Sequence, residues 1–499
     1  MERAKPIISG TLRIRDHEVG VSLMSANVAV DTAAAGGEFF EIGTASSLLA
    51  TRKISPVELL EHYLKRIAAV DPKLHSYITV LSDRARVAAR QAESDIANGR
   101  WMGPLHGIPF GVKDNYHVAG VRTTGGSRLM LDYVAEETST IVEKLQAQGA
   151  ILLGKMNTWE YGTGTGEIYD ELPFPLARNA WNLAHFTGGS STGVGTGVAA
   201  GTALFGLGSD TGGSIRLPAA ATGVAGMKAT YGRVSRAGCI PNCWSLDVTG
   251  PLTWTVRDSA IVLEAISGFD PCDPQSADAP VPAFSRGMAS GVRGMTIGVV
   301  RDFGADAPTL AADVATNLAK AEMALRDAGA EIIEVALPAT LEDYRRVTSV
   351  INWGESFSIH EQDFMERRLL MGRALRDKMT SGFTLRAVDF LAAQRMRRQL
   401  AVSTDAIVRT CDAILTPCTF ATAPTFDDQK TLVEFTMHAA TSIFNVSGHP
   451  ALSLPTGFDA RGLPTSIQIA GRYFDEATIY RVANVIECAV GERGRRPKL

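Results

Sequence analysis

Cysteine is scarce in this 499-residue chain, which contains only six. No two of them form a Cys-x-x-Cys pair, which argues against a disulfide scaffold and against a zinc module. No apolar run approaches the roughly 18 residues of a membrane-spanning helix. The 49 basic and 53 acidic residues give a net charge of −4, without the positive excess typical of nucleic-acid binding. We therefore expect a soluble, cytoplasmic protein of enzyme size with neither nucleic acid nor membrane as a partner.

Residues 1–38 stand apart from the rest of the chain. They contain no apolar segment of the kind that a signal peptide requires. We interpret them as an N-terminal extension that caps a surface or contacts another protomer. The alternative is that Met24 is the true first residue.

Helical and strand-like patterns alternate from residue 39 to residue 499. Ser55-Pro56-Val57-Glu58 forms a capping box that predicts the start of a helix. Further helices are predicted at 83–97, 138–148, from 310 onward and 476–490, and strands at 107–113, 150–154, 295–300, 330–337, 411–415, 451–454 and 466–470. Such alternation predicts an α/β fold, with one sheet covered by helices on both faces. Residues 341–409 depart from this alternation because their pattern is helical throughout. We interpret them as a helical insertion that shapes a substrate pocket.

The segment from Thr187 to Ser214 has ten glycines in 28 residues. Glycine at this density indicates sharp bends or a close approach of the backbone to a ligand. One interpretation is a dinucleotide site, because Gly195–Ala200 matches the glycine fingerprint. That site needs a strand directly before the fingerprint, and residues 181–186 are a poor strand.

A second interpretation is a serine hydrolase of the α/β-hydrolase type. Gly189–Gly193 matches G-x-S-x-G and would make Ser191 the nucleophile. This scheme needs a later histidine, for which His360, His438 and His449 are the candidates.

The third interpretation combines Lys113 with serines from both ends of the glycine-rich segment. The sequence GSDTGGSIRLPA at 208–219 resembles the amidase signature family, as do Lys113-Asp114-Asn115, GGSS at 188–191 and YGRVS at 231–235. The resemblance runs from about residue 40 to the C-terminus, and its motifs follow in the family's order. It implies a single α/β/α domain around a mixed, twisted central sheet, over residues 39–499.

The resemblance implies a Ser–Ser–Lys triad formed by Ser214, Ser190 and Lys113. Ser214 would be the nucleophile, and Ser190 would relay its proton to the lysine. A free lysine has a pKa near 10.4, and only a neutral amine can accept that proton, so we expect Lys113 to be buried at the base of the pocket. The resemblance also implies a cis peptide bond at Ser190.

The backbone N–H groups of Thr211, Gly212, Gly213 and Ser214 are expected to form the oxyanion hole. Asp210 and Arg216 are expected to hold this loop by ion pairing, and Ser191 to support the site. Two positions depart from the family pattern. Thr192 stands where the family has glycine, and Ala229 where it has proline.

The remaining candidates are given structural roles. Cys239, Cys243 and Cys418 are interpreted as buried or loop thiols, and neither a metal nor a cofactor is expected. The segment His360-Glu361 lacks the second histidine of a zinc-protease helix and is expected at the surface. Large aromatic side chains, Trp244 among them, are expected mostly in the core, with Trp353 and Tyr161 as possible pocket walls.

We therefore expect a stand-alone amidase that cleaves the C–N bond of a small-molecule amide through an acyl-enzyme on Ser214. A homodimer is expected because dimers are common among relatives. Carbamate or ester cleavage by the same triad is an alternative. Another is the amidase component of a glutamine-dependent aminoacyl-tRNA amidotransferase, although the insertion lacks a Ser-Asn-Leu-Ala-Arg-like segment. From a different class, the chain could be a catalytically silent binding protein on the same scaffold.

Overall fold

Eleven strands form one mixed sheet in the computed structural model, which describes residues 39–490 and 492–499. The strands, in chain order, are β1 Tyr77–Val80, β2 Pro109–Lys113, β3 Ile151–Met156, β4 Phe205–Asp210, β5 Ala225–Lys228, β6 Val248–Thr253, β7 Thr296–Val300, β8 Glu331–Val335, β9 Ala413–Pro417, β10 Ala451–Phe458 and β11 Pro464–Gly471. Their order across the sheet is β1-β3-β2-β4-β6-β5-β10-β11-β9-β7-β8.

Helices cover both faces of this sheet. They are α1 Ile42–Ala50, α2 Pro56–Leu74, α3 Ser82–Ala97, α4 Thr140–Ala147, α5 Thr192–Ala199, α6 Arg216–Thr222, α7 Val256–Ile266, α8 Ala312–Asp327, α9 Leu341–Arg367, α10 Arg373–Phe383, α11 Ala387–Val408, α12 Gln429–Met437, α13 Ser442–Val446 and α14 Glu476–Val490. The α/β fold with a mixed sheet between helical layers is therefore confirmed. Within the described residues, no helix is long and apolar enough to cross a membrane.

The predicted helices and strands lie within a few residues of their observed positions. The structure contains four further strands that the pattern analysis did not predict, namely β1, β4, β5 and β6. Of these, β4 (Phe205–Asp210) has glycine at two of its six positions, so it lacks the continuous apolar run of a buried strand. Its pairing with two neighbours, and not its own side chains, establishes it as a strand.

The direction of three neighbouring strands brings chemistry-bearing residues together. Strand β2 is parallel to β3 on one side and to β4 on the other. The carboxyl ends of parallel strands meet at one edge of a sheet, which is where open α/β sheets bind ligands. Lys113 is the last residue of β2, and Asp210 is the last residue of β4.

The predicted insertion at 341–409 consists of the three helices α9, α10 and α11. Tyr344 and Ile351 of α9 are buried in a hydrophobic cluster that also contains Leu400 of α11. The predicted extension at 1–38, with the alternative start at Met24, lies outside the described residues. The chain from Phe40 to Leu499 forms one compact unit.

The helix start predicted at Ser55 has the geometry of a capping box. The Glu58 N–H donates to Ser55 Oγ at 3.1 Å, and the Ser55 N–H donates to the Glu58 carboxylate at 2.8 Å. Both bonds satisfy N–H groups that have no partner within the helix. The cap therefore contributes to stability as well as marking the start of α2.

We predict that Ser55→Ala destabilises the protein by about 1 kcal/mol, because the Glu58 N–H loses its acceptor. For a chain of this size that corresponds to a decrease in Tm of roughly 1–2 °C in a thermal unfolding scan. Ser47→Ala, on the exposed surface of α1, is the matched control and leaves Tm unchanged. Equal shifts in the two variants would contradict the role of the cap.

Candidate active site

Lys113 is buried at the end of β2, as expected from the sequence. Its Nζ lies 2.6 Å from Ser190 Oγ and 2.9 Å from Ser209 Oγ. No carboxylate of the described residues lies within ion-pairing distance of this amine. Burial lowers the pKa of Lys113 to about 8, because desolvation disfavours the charged form and outweighs the opposing effect of the Asp247 and Asp210 carboxylates. The lowered pKa increases the fraction of the neutral amine, which is the form that a base needs.

Ser190 follows a cis peptide bond between Gly189 and Ser190, the feature that the family resemblance implied. Its side chain is 1% exposed, and its carbonyl accepts a hydrogen bond from the Trp159 N–H at 3.1 Å. A Cβ atom at Gly189 would overlap the Trp159 indole, so only glycine fits at this position. The backbone on both sides of Ser190 is therefore tightly packed.

Ser214 lies at the amino end of α6 and faces a cavity. The Ser191 N–H donates to the Ser214 carbonyl at 3.3 Å, which joins the segments that contain the two triad serines. The Ser214 hydroxyl itself makes no hydrogen bond with another described residue. It is half-buried, whereas Ser190 and Lys113 are fully buried. Of the three groups, Ser214 is the one that a substrate can reach.

An ion pair beneath the loop fixes the position of Ser214. The carboxylate of Asp210 accepts from Arg216 Nη2 at 2.9 Å and from Arg216 Nε at 3.0 Å, and both side chains are buried. The guanidinium also donates to Asn445 Oδ1 and Gln468 Oε1, each at 2.6 Å. The pKa of Asp210 is lowered to about 2, because these contacts outweigh the effect of burial. The loop is thereby attached to α13 and β11.

One of the four predicted oxyanion donors already has a partner. The Gly213 N–H donates to Asp210 Oδ1 at 2.8 Å, so the prediction of a free donor at this residue is wrong. The N–H groups of Gly212 and Ser214 have no acceptor among the described residues. Gly213 has φ of +133°, and a Cβ there would overlap the Thr441 side chain. It is therefore needed for the shape of the loop.

The cavity in front of Ser214 has a volume of about 320 Å³. One wall is the loop from Thr211 to Ser214, and another is the segment 162–167. The third wall comes from the helical insertion, through Trp353 of α9 and Lys378 of α10. We call this space the catalytic cavity. The expectation that Trp353 is a pocket wall is met, whereas Thr192 is buried at the start of α5 and does not line this cavity.

Pattern analysis did not identify several residues of the site. Ser209 joins Lys113 to Asn115, whose Nδ2 donates to Ser209 Oγ at 3.1 Å. Lys378 Nζ donates to Asn242 Oδ1 at 2.5 Å, and burial lowers its pKa to about 8. Ser209 could have been selected from the sequence, because it directly precedes Asp210, which was already a candidate. Asn242 and Lys378 belong to segments without a motif.

The other interpretations of the glycine-rich segment do not fit the structure. Gly195–Ala200 is buried within and at the end of α5, which leaves no open cradle for a dinucleotide. The Ser191 hydroxyl donates to the Ser209 carbonyl at 3.4 Å and forms no hydrogen bond with a histidine of the described residues. His449 instead lies between Ser447 and Asp405, at 3.0 and 3.2 Å.

Two expectations about ring side chains are wrong. His360 is buried against Tyr161, with ring centroids 4.4 Å apart, and burial lowers its pKa to about 4. Its place on the inner face of α9 explains the error, because spacing alone did not identify that face. Trp244 is 54% exposed, since it lies in a surface loop.

The three cysteines interpreted as buried or loop thiols and the candidate His438 lie as follows. Cys243 and Cys418 are buried free thiols, and Cys239 is partly buried. His438 is half-buried directly after α12. No group of three or more metal-ligating side chains occurs among the described residues.

Known proteins of one family resemble this chain in sequence and in fold. A family model described as Amidase matches residues 58–480. The chain belongs to the amidase signature family. A glutamyl-tRNA(Gln) amidotransferase subunit of Moorella thermoacetica is 37% identical over 485 residues, which cover 91% of this chain and 97% of that protein.

Solved structures of the family superpose over nearly the whole chain. A bacterial aryl acylamidase has a TM-score of 0.83 at 26% identity, covering 92% of this chain and 99% of the other. The corresponding glutamyl-tRNA(Gln) amidotransferase subunit of Thermotoga maritima has a TM-score of 0.75 at 31% identity, covering 90% and 94%. The chain is therefore similar both to an aryl acylamidase and to an amidotransferase subunit.

The depressed pKa of Lys113 predicts the pH dependence of the reaction. If the neutral amine is the base, kcat/KM rises with pH as the ammonium loses its proton, with a midpoint at about 8, and levels off above it. Lys113→Arg abolishes turnover, because a guanidinium stays protonated at any working pH. The measurement is a pH profile of kcat/KM on an amide substrate.

The control for this variant is Lys430→Arg, at a side chain that is 84% exposed on α12. It retains the wild-type profile. A flat wild-type profile between about pH 6 and 9, or substantial turnover by Lys113→Arg, would contradict the assignment of the base.

Proposed function

We propose that the protein hydrolyses the C–N bond of a small carboxamide through an acyl-enzyme on Ser214. The observation that carries this proposal is the buried amine of Lys113, 2.6 Å from Ser190 Oγ and without a carboxylate partner among the described residues. A serine hydroxyl becomes a good nucleophile only when a base removes its proton. Ser190 connects this base to the segment that carries Ser214.

Acylation begins when Ser214 Oγ attacks the amide carbonyl carbon. The proton of Ser214 passes to Ser190, whose own proton moves to Lys113. The N–H groups of Gly212 and Ser214, with that of Thr211, are the proposed donors to the oxyanion. When the C–N bond breaks, the nitrogen takes its proton from Ser190, which regains one from Lys113, and the neutral amine leaves. For the first of these proton transfers Ser214 moves into contact with Ser190 as substrate binds, since catalytic hydrogen bonds commonly tighten at that stage.

Deacylation repeats the sequence with water as the nucleophile. Lys113 accepts a proton from water through Ser190, and the resulting hydroxide attacks the ester carbon of the acyl-enzyme. The bond to Ser214 breaks, Ser214 takes a proton from Ser190, Ser190 regains one from Lys113, and the carboxylic acid is released. The same steps serve esters and carbamates, because only the leaving group differs.

The curated relatives favour a second candidate function. The Moorella thermoacetica protein is named for glutamyl-tRNA(Gln) amidotransferase, and it matches this chain over nearly the full length of both. On this candidate, the same acyl-enzyme chemistry releases ammonia for use by partner subunits. The aryl acylamidase, with the TM-score of 0.83, supports the stand-alone enzyme instead. A homodimer remains a prediction for the stand-alone form.

Replacing Ser214 tests the shared chemistry. Ser214→Ala is predicted to reduce kcat/KM by roughly 10⁴-fold or more, because the acyl-enzyme cannot form. It also loses labelling by a fluorophosphonate, which reacts with activated serines. Ser191→Ala is the matched control, since it removes the neighbouring hydroxyl of the rejected interpretation, and it remains labelled. Labelling that persists in Ser214→Ala and disappears in Ser191→Ala would show that the nucleophile is misassigned.

The purified chain distinguishes the two candidate functions. A stand-alone amidase hydrolyses amides as a single polypeptide, and we expect this result with a panel of anilides, primary amides and carbamates. Glutamine serves as the comparison substrate, with ammonia release as the readout. Turnover that appears only with co-purifying subunits, and only on glutamine, would favour the amidotransferase component.

A further inference from the structure

A second cavity, of about 350 Å³, lies close to Lys113 and is not lined by the nucleophile loop from Gly212 to Ser214. Its inner wall contains Asn115 and Ser209. Ser209 Oγ accepts from Lys113 Nζ at 2.9 Å, so a single side chain separates this space from the catalytic base. The reaction described above assigns no role to it.

The two cavities adjoin each other near Ser190, which lines neither of them. Gly162 and Asn242 line both of them. A Cβ atom at Gly162 would lie 3.4 Å from Ser190 Oγ and 3.4 Å from Asn242 Nδ2. The hydroxyl of Ser190 therefore lies close to the junction, the place where the two cavities share these lining residues.

The chemistry of acylation fixes where the two parts of the substrate must lie. The scissile nitrogen takes its proton from Ser190 and must therefore sit next to that hydroxyl at the junction. The carbonyl faces Ser214 and the loop at 211–214, so the acyl group occupies the catalytic cavity. The substituent on the nitrogen points away from the acyl group, toward the second cavity.

The walls of the second cavity suit an amine with an apolar substituent. Asn115 is 6% exposed, and its Oδ1 is a buried acceptor without a partner among the described residues. Apolar surface comes from Tyr161, Ile240 and Trp244. The one guanidinium in the wall, that of Arg236, is paired with Asp273 at 2.9 Å and does not repel an amine strongly.

We propose that this second cavity, the amine cavity, receives the leaving amine, and that the substrate is a secondary amide with an aryl or alkyl group on its nitrogen. The inference rests on the proposed function, since it needs an acyl-enzyme on Ser214 and proton donation from Ser190. Release of ammonia from a primary amide would use almost none of this space. The amine cavity therefore favours the stand-alone enzyme over the amidotransferase component.

The test compares two amides with the same acyl group, hexanamide and N-phenylhexanamide. Their kcat/KM values report acylation with ammonia or with aniline as the leaving group. Ala237→Leu adds bulk to the wall of the amine cavity. We expect it to lower kcat/KM for the anilide by about 10-fold or more and to leave that for the primary amide within about 2-fold.

Ala374→Leu is the matched control, because Ala374 lines the catalytic cavity and not the amine cavity. It is expected to change both values by the same factor. Gln275→Trp, at an exposed residue on the wall of the amine cavity, is a second variant in case Ala237→Leu fails to fold. Fluorophosphonate labelling of Ser214 at the wild-type rate shows that each variant is folded and active.

Two results would contradict the proposed role of the amine cavity while leaving the proposed function intact. In the first, wild-type protein cleaves hexanamide but not the anilide. In the second, both cavity variants leave the ratio of the two kcat/KM values unchanged. Failure of the wild type to cleave either amide, together with loss of Ser214 labelling, would overturn the proposed function itself.

Discussion

The account depends on one constraint, the burial of Lys113 among hydroxyl groups without a carboxylate partner in the described structure. A second buried lysine, in the next strand, has the carboxylate partner that Lys113 lacks. Lys155 of β3 lies 2.8 Å from Asp114 Oδ1, and both side chains are fully buried. Asp114 follows Lys113 directly in the chain, yet its carboxylate faces Lys155 and Thr124. Lys113 therefore lacks the direct carboxylate partner that Lys155 has, although burial lowers the pKa of both amines.

The fold supplies this arrangement through the order of its strands. Because β2 and β4 are parallel neighbours, Lys113 and Ser209 reach the same edge of the sheet. The loop after β4 then carries Ser214 back over that edge. The buried pair of Asp210 and Arg216 fixes its path, and breaking such a pair by removing one partner commonly costs about 3–5 kcal/mol. Positioning of the nucleophile and stability of the loop thus depend on the same contacts.

Much of this site could be predicted from the sequence, because its reacting groups lie in short motifs with characteristic neighbours. The sequence analysis selected Lys113, Ser190 and Ser214 in this way, and their catalytic roles stay a prediction. Ser209 and Lys378 were not, since their roles arise from contacts between residues 96 and 136 positions apart along the chain. The assignment of the Gly213 N–H to the oxyanion hole was wrong. The direction of a single N–H group depends on backbone angles, which the composition of a segment does not reveal.

The pKa of Lys113 is the most direct test of the central claim. The ε-methylene resonances of isotopically labelled lysine can be followed by NMR as a function of pH, and the signal of Lys113 is assigned by its loss in Lys113→Met. This assignment is needed because burial also depresses the pKa values of Lys228 and Lys378. The account predicts an apparent pKa of about 8 for Lys113. A value near 10.4, that of a solvated lysine, would contradict it.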